Sequence, residues 1–102
     1  MRLHGQAKLG FYPTPPTVTE RLCRLLAAPP ANPGTLDGSL QPLRILDPCA
    51  GDGTALATLG RALDAQTYGV ELHHARARQA KTALTICLHG DCLTATIPPQ
   101  AF

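Results

Sequence analysis

The chain has no tryptophan, one methionine, and only two tyrosines and two phenylalanines among its 102 residues. Large aromatic rings therefore cannot fill its interior, and the core has to come from Leu, Ala, Val and Ile. Charge is also scarce: 16% of residues are charged and the net charge is +2, too small to argue for a strongly electrostatic partner. Nucleic-acid binding is neither indicated nor excluded by that value. No apolar run approaches the ~18 residues needed to cross a membrane. The start, Met1-Arg2-Leu3-His4-Gly5-Gln6, lacks the apolar stretch of a signal peptide. Cys23, Cys49, Cys87 and Cys92 form no CxxC pair and have no His at the offsets a zinc site prefers, so no metal site is expected. Four free thiols in a cytoplasmic protein is the simplest expectation.

The length allows one domain. A domain of this size buries only roughly 60–70% of the surface its unfolded chain exposes, so its stability margin is thin. Residues 1–16 read as an amino-terminal arm: a polar stretch without period, then Phe11-Tyr12-Pro13-Thr14-Pro15-Pro16, stiffened because each proline fixes its own φ and restricts its predecessor. Val18, Leu22, Leu25 and Leu26 then share one helical face, which predicts a helix buried on that side. Thr17 with Glu20 forms a capping-box pattern at its start, and Pro29-Pro30 ends it. From Pro29 to Pro42 the chain is a connector rich in Pro, Gly and Ser.

Beyond the connector, short apolar runs alternate with helical periods. Leu43–Asp47 reads as a buried strand, Thr54 opens a helix with Leu56, Leu59 and Leu63 on one side, and Gln66–Glu71 is a second strand. His73 to about Thr82 is an Ala-rich helix with Ala77, Ala80 and Leu84 near one face, and Thr85–His89 is a third strand. This α-β-α-β-α-β order predicts an α/β fold, a parallel sheet of about three strands with right-handed crossovers and flanking helices.

Ligands of open parallel sheets bind beyond the carboxyl ends of the strands. Asp47, Glu71 and Asp91 occupy or closely follow those three ends, and the loop Asp47-Pro48-Cys49-Ala50-Gly51-Asp52-Gly53 follows the first. Gly51 and Gly53 remove side chains where a ligand would approach backbone. The helix at Thr54 would aim free N–H groups at the pocket. Glu71 lies 24 residues beyond Asp47, close to the ~20-residue offset at which an acid accepts hydrogen bonds from a ribose. A dinucleotide fingerprint needs a third glycine where Leu56 stands, and a phosphate-binding P-loop needs Lys-Ser/Thr where Thr54-Ala55 stand. Both matches fail, which leaves a module for some other nucleotide as the weakest of the readings. His73 and His74 are expected to be ordinary surface residues, Cys49 to pack as a small apolar group, and Arg76, Arg78 and Lys81 to form a solvated helix face. Asp52 would point to solvent or cap the next helix.

The acid and Gly-x-Gly turn at Asp47–Thr54, the acid ending Tyr68-Gly69-Val70-Glu71, and Gly90-Asp91 together resemble the motifs of class I S-adenosylmethionine-dependent methyltransferases. The form Asp47-Pro48-x-x-Gly51-x-Gly53, preceded by Tyr12-Pro13-Thr14-Pro15, looks most like the amino-methylating DNA enzymes of the adenine-N6 group. The resemblance covers roughly Phe11 to Leu93. It implies a Rossmann-like methyltransferase fold, with 17–102 as a partial cofactor-binding domain and S-adenosyl-L-methionine as cofactor. Glu71 would hold the ribose hydroxyls, and Asp91 would accept from the adenine amino group. Gly51 and Gly53 would line the methionine moiety, with Asp47 and Pro48 beside them and Asp47 near the ammonium group. Tyr12 and Thr14 would fold over the methionine end. Such enzymes transfer the methyl group directly to an amino nitrogen of a flipped DNA base and need no metal. RNA and protein-glutamine methyltransferases share the fold.

That group carries an Asn/Asp-Pro-Pro-aromatic segment which grips the target amino group. Ile97-Pro98-Pro99-Gln100 has the proline pair without the acceptor or the aromatic residue. The expectation is therefore a chain without catalytic residues of its own, completed by a second chain or a carboxyl-terminal part. Its alternative is a non-catalytic remnant or partner subunit that binds cofactor or completes another chain's sheet.

Overall fold

The structure, a computed structural model, describes residues 11–26 and 43–102. The expected polar arm before Phe11 and the connector up to Pro42 lie outside the described residues. The elements are α1 (Pro16–Leu26), β1 (Leu43–Asp47), α2 (Thr54–Leu63), β2 (Ala65–Glu71), α3 (His74–Ala83) and β3 (Ile86–His89). The three strands form one parallel sheet in the order β1-β2-β3, so β2 is central. This is the α/β, Rossmann-like arrangement, with three strands and flanking helices.

Both crossovers step in the same direction, which places α2 and α3 on the same face of the sheet. Their small and branched residues build the core there: Leu56, Ala57, Ala80, Leu84 and Cys87 pack with Ala50 and the partly buried Ile45. The opposite face carries Arg44, Leu46, Tyr68, Val70, Ile86 and Leu88. Together with Ala95–Ile97, Pro98 and Phe102 they line a groove of about 240 Å³. Phe102 meets the Tyr68 ring edge-on at 5.2 Å, so the segment after β3 crosses this face.

Several boundaries differ from the expectation for definite reasons. α1 begins at Pro16, the favoured residue for a first helical position, and Glu20 pairs with Arg24 one turn on, away from the expected capping box. Its leucine face is not the packed one: Leu25 is 65% exposed, and Val18, Leu22 and Leu26 are exposed with it. The side bearing Thr19 and Cys23 faces Thr54, Ala55, Thr58 and Ala62 of α2. β1 is half-buried at most, because it is an edge strand. Thr85 stays outside β3: its N–H donates to the Thr67 hydroxyl at 3.0 Å, and Thr67 N–H donates to the Thr85 hydroxyl at 2.9 Å. These exchanged side-chain bonds replace the first rung of the ladder and satisfy the buried Thr67 hydroxyl. No helix among the described residues is long and apolar enough to cross a membrane.

Candidate functional site

Because β2 is central, Glu71 stands in the middle of the carboxyl edge, and both neighbouring loops fold onto it. Ala50 N–H, in the loop after β1, donates to Val70 C=O at 2.9 Å. Gly90 N–H, after β3, donates to Glu71 C=O at 2.9 Å. The strand order thus gathers three loops at one place.

The first loop is set by local chemistry. Asp47 Oδ1 accepts the Cys49 N–H at 2.9 Å, an Asx turn that bends the chain off β1. Gly51 and Gly53 have φ of +63° and +86°, left-handed conformations that a side chain disfavours. Asp52 Oδ1 accepts the Thr54 N–H, the first amide of α2, at 3.0 Å. The Thr54 amide is therefore taken by a carboxylate and is not offered to a ligand. An acid at a helix start is favoured by the helix dipole, which explains the exchange.

Glu71 is 7% exposed and closely held. Its Oε1 accepts the Gly51 N–H at 3.0 Å, and its Oε2 accepts the His73 N–H at 2.8 Å and Arg76 Nη2 at 3.4 Å. A buried carboxylate needs such partners, since an unpaired one costs several kcal/mol (roughly, by desolvation).

Two cavities meet at this residue. The first, about 620 Å³, is lined by Pro48, His73, His89, Asp91, Cys92 and others. The second, about 400 Å³, is lined by Phe11, Tyr12, Thr14, Asp47, Gly51, Asp52 and others. Glu71 and Cys49 line both. The second cavity holds the carboxylates of Asp47, Asp52 and Glu71, with no lysine or arginine among the described residues of its wall. Its field favours a cation over a phosphate.

The structure places seven of the eight sequence-predicted residues on these walls: Pro48 and Asp91 in the first cavity, Tyr12, Thr14, Asp47 and Gly51 in the second, and Glu71 in both. Gly53 lines neither and faces α3, where a Cβ would stand 3.1 Å from the Ala80 Cα. Asp91 Oδ1 accepts the Leu93 N–H at 2.9 Å, which turns the chain after β3.

Arg76 and Cys49 depart from their expected bland roles, and Phe11 and His73 take structural parts that the sequence did not announce. Arg76 is not solvated: its side chain is 13% exposed, ion-paired with Glu71, and its Cζ lies 4.8 Å from the centre of the Phe11 ring. The expectation failed because Arg78 and Lys81 on the same helix are exposed and hide the exception. The signal was its place in the first turn of α3, just beyond the strand-end acid. Phe11 was hidden in an aperiodic segment; it packs directly against Gly51. His73 Nδ1 accepts the Arg76 N–H at 3.4 Å and caps α3. Cys49 is exposed at the junction of the cavities and does not pack in the core. Desolvation, followed by the neighbouring Cys92 and the charges of Asp47 and Glu71, pushes the Cys49 thiol above its ordinary pKa, so it is protonated at neutral pH.

Residues 1–102 match the sequence model of an uncharacterised methyltransferase family, DUF6094. The chain belongs to that family. No curated protein matches it. Membership in a methyltransferase family fits a strand-end site of this kind. Among the described residues, no three His, Cys, Asp or Glu side chains converge as a metal-binding group. All four cysteines are free.

Proposed function

We propose that the chain binds S-adenosyl-L-methionine as the cofactor part of a class I methyltransferase, and that the reaction served is methylation of adenine N6 in DNA. The observation that carries the cofactor reading is the meeting of two cavities at Glu71. The first is the broader and mixes the imidazoles of His73, His74 and His89 with Arg76 and Asp91, and the second is acidic; a ribose between a base and a cationic amino-acid tail fits that sequence of environments. Both volumes fall in the range of ligand pockets, ~300–1,000 Å³. On the acidic side the Asp47 carboxylate suits an ammonium group.

The cofactor would supply a methyl group activated on a sulfonium centre. The residues of this chain bind and orient: Glu71 toward the ribose hydroxyls, Asp91 toward the adenine amino group, Asp47 toward the ammonium, and Tyr12 with Thr14 over the methionine end. Support for adenine in DNA comes from the Asp47-Pro48-x-x-Gly51-x-Gly53 form and its Tyr12–Pro15 lead-in. The segment that grips the target amino group is proposed to be other than Ile97–Gln100, since Pro98 lines the groove on the face of the sheet opposite α2 and α3. A partner chain or further segment would provide it.

Calorimetric titration with S-adenosylmethionine, its demethylated product and NAD tests the cofactor reading. Saturable binding of the first two with none of NAD is expected, and no binding at millimolar cofactor would refute it. Labelled methyl transfer to DNA, RNA and protein, with the partner supplied, tests the substrate class; label in N6-methyladenine of DNA is expected, and label only in RNA or protein would overturn it.

A further inference from the structure

The geometry points to a role for Arg76 as a positioning residue that latches Phe11, a wall of the acidic cavity, to the Glu71 carboxylate. Four residues close a ring. Phe11 rests on Gly51, where an added Cβ would lie 2.6 Å from its Cε2. Gly51 N–H donates to Glu71 Oε1 at 3.0 Å. Arg76 Nη2 donates to Glu71 Oε2 at 3.4 Å, and the same guanidinium lies 4.8 Å from the centre of the Phe11 ring. The ring joins four parts of the chain: the lead-in to α1, the loop after β1, the end of β2 and the first turn of α3.

A plain surface arginine would extend into water, as the exposure of Arg78 and Lys81 allows those side chains to do. Arg76 is turned inward, with its side chain 13% exposed. Its flat guanidinium can meet a carboxylate at its edge while presenting its plane to an aromatic ring, and a lysine ammonium cannot do both in the same way. Without Arg76, Glu71 still holds the amides of Gly51 and His73. The carboxylate then stays in place, and the loss falls on Phe11 and the wall it forms with Tyr12 and Thr14. Arg76 thereby links the ribose-facing acid to the closure of the methionine end, an inference that rests on the cofactor reading above.

Adenosine should need the first cavity, and S-adenosylmethionine both. Phe11 lines only the second cavity, so Phe11→Leu should leave adenosine affinity within about twofold and weaken S-adenosylmethionine about threefold to tenfold, the range a lost cation–π contact gives. Arg76 also borders the first cavity, and Arg76→Lys should weaken S-adenosylmethionine at least as much. In the presence of Phe11→Leu, Arg76→Lys should add less to that loss than it costs alone, because both remove one coupled contact. Equal weakening of both ligands by Phe11→Leu, or strictly additive losses in the double variant, would overturn the latch.

The ligand-free protein gives an independent arm. Nuclear Overhauser contacts from the Phe11 ring to Arg76 and to the Gly51 α-protons are expected in the native chain, with the Phe11–Gly51 contact weakened in Arg76→Lys. Unchanged Phe11–Gly51 contact in a folded Arg76→Lys protein would overturn the proposal even if no S-adenosyl ligand binds. Loss of that contact with no cofactor binding would uphold the latch and refute the cofactor reading alone.

Discussion

The Glu71 carboxylate accepts the Gly51 amide at 3.0 Å across 20 residues of sequence, so the end of the central strand and the glycine loop form one unit. The same carboxylate is the meeting point of the two cavities. Stability and binding should therefore be linked at this residue.

Replacing Glu71 tests that link. Glu71→Ala strands the amides of Gly51 and His73 and removes one partner of Arg76, with an expected cost of about 2–4 kcal/mol. Urea denaturation would read it, and calorimetry should show at least a tenfold (roughly 1.4 kcal/mol) loss of S-adenosylmethionine affinity. Glu71→Gln keeps one acceptor oxygen and should lose less stability than Glu71→Ala.

Gly51→Ala places a methyl group against Phe11 and forces a side chain to φ +63°. The backbone conformation alone should cost about 1–2 kcal/mol. The steric part should be relieved in the Gly51→Ala, Phe11→Ala double variant, so its loss of stability should be smaller than the sum of the two single losses. Strict additivity in urea melts would contradict the packing of Phe11 on Gly51.

Asp47→Asn keeps the Oδ1 that accepts the Cys49 amide and removes only the charge. The loop should hold its shape while S-adenosylmethionine binds about threefold to tenfold more weakly, with less sensitivity to salt. Titrations at two ionic strengths would check both effects.

Burial pushes the Cys87 thiol above its ordinary value of 9.0, and Lys81 opposes this only in part. The unfolded chain then loses this proton at lower pH than the folded one. The resulting stability is fully present below the ordinary thiol value and is lost as the pH rises through it toward the raised folded value. Urea midpoints should fall between about pH 8 and pH 10, and Cys87→Ala should flatten that fall. Cys49, shifted in the same direction, contributes to the remainder.

Much of the fold was legible because its signals are local. The apolar runs ending in Asp47, Glu71 and His89 mark strands, and Leu56, Leu59, Ala77, Ala80 and Leu84 mark the faces that are buried. The acids at the strand ends were legible for the same reason. The packing side of α1 was not, because Val18, Leu22, Leu25 and Leu26 give a period that the described contacts do not use. The Thr67–Thr85 exchange, the bond from the Thr54 amide to Asp52 and the inward turn of Arg76 depend on contacts between side chains and amides or carboxylates that no periodicity encodes. Phe11 lies 40 residues from Gly51 in sequence, and nothing in the intervening chain announces their contact.

The most direct test of one ligand spanning both cavities is an amide chemical-shift titration with S-adenosylmethionine. The account predicts shifts at Cys49, Gly51, Glu71, His73 and Gly90 together, extending to Tyr12 and Thr14, with one shared dissociation constant. The face around Tyr68 and Leu88, opposite α2 and α3, should change little. Shifts confined to that face, or to a single cavity, would contradict it.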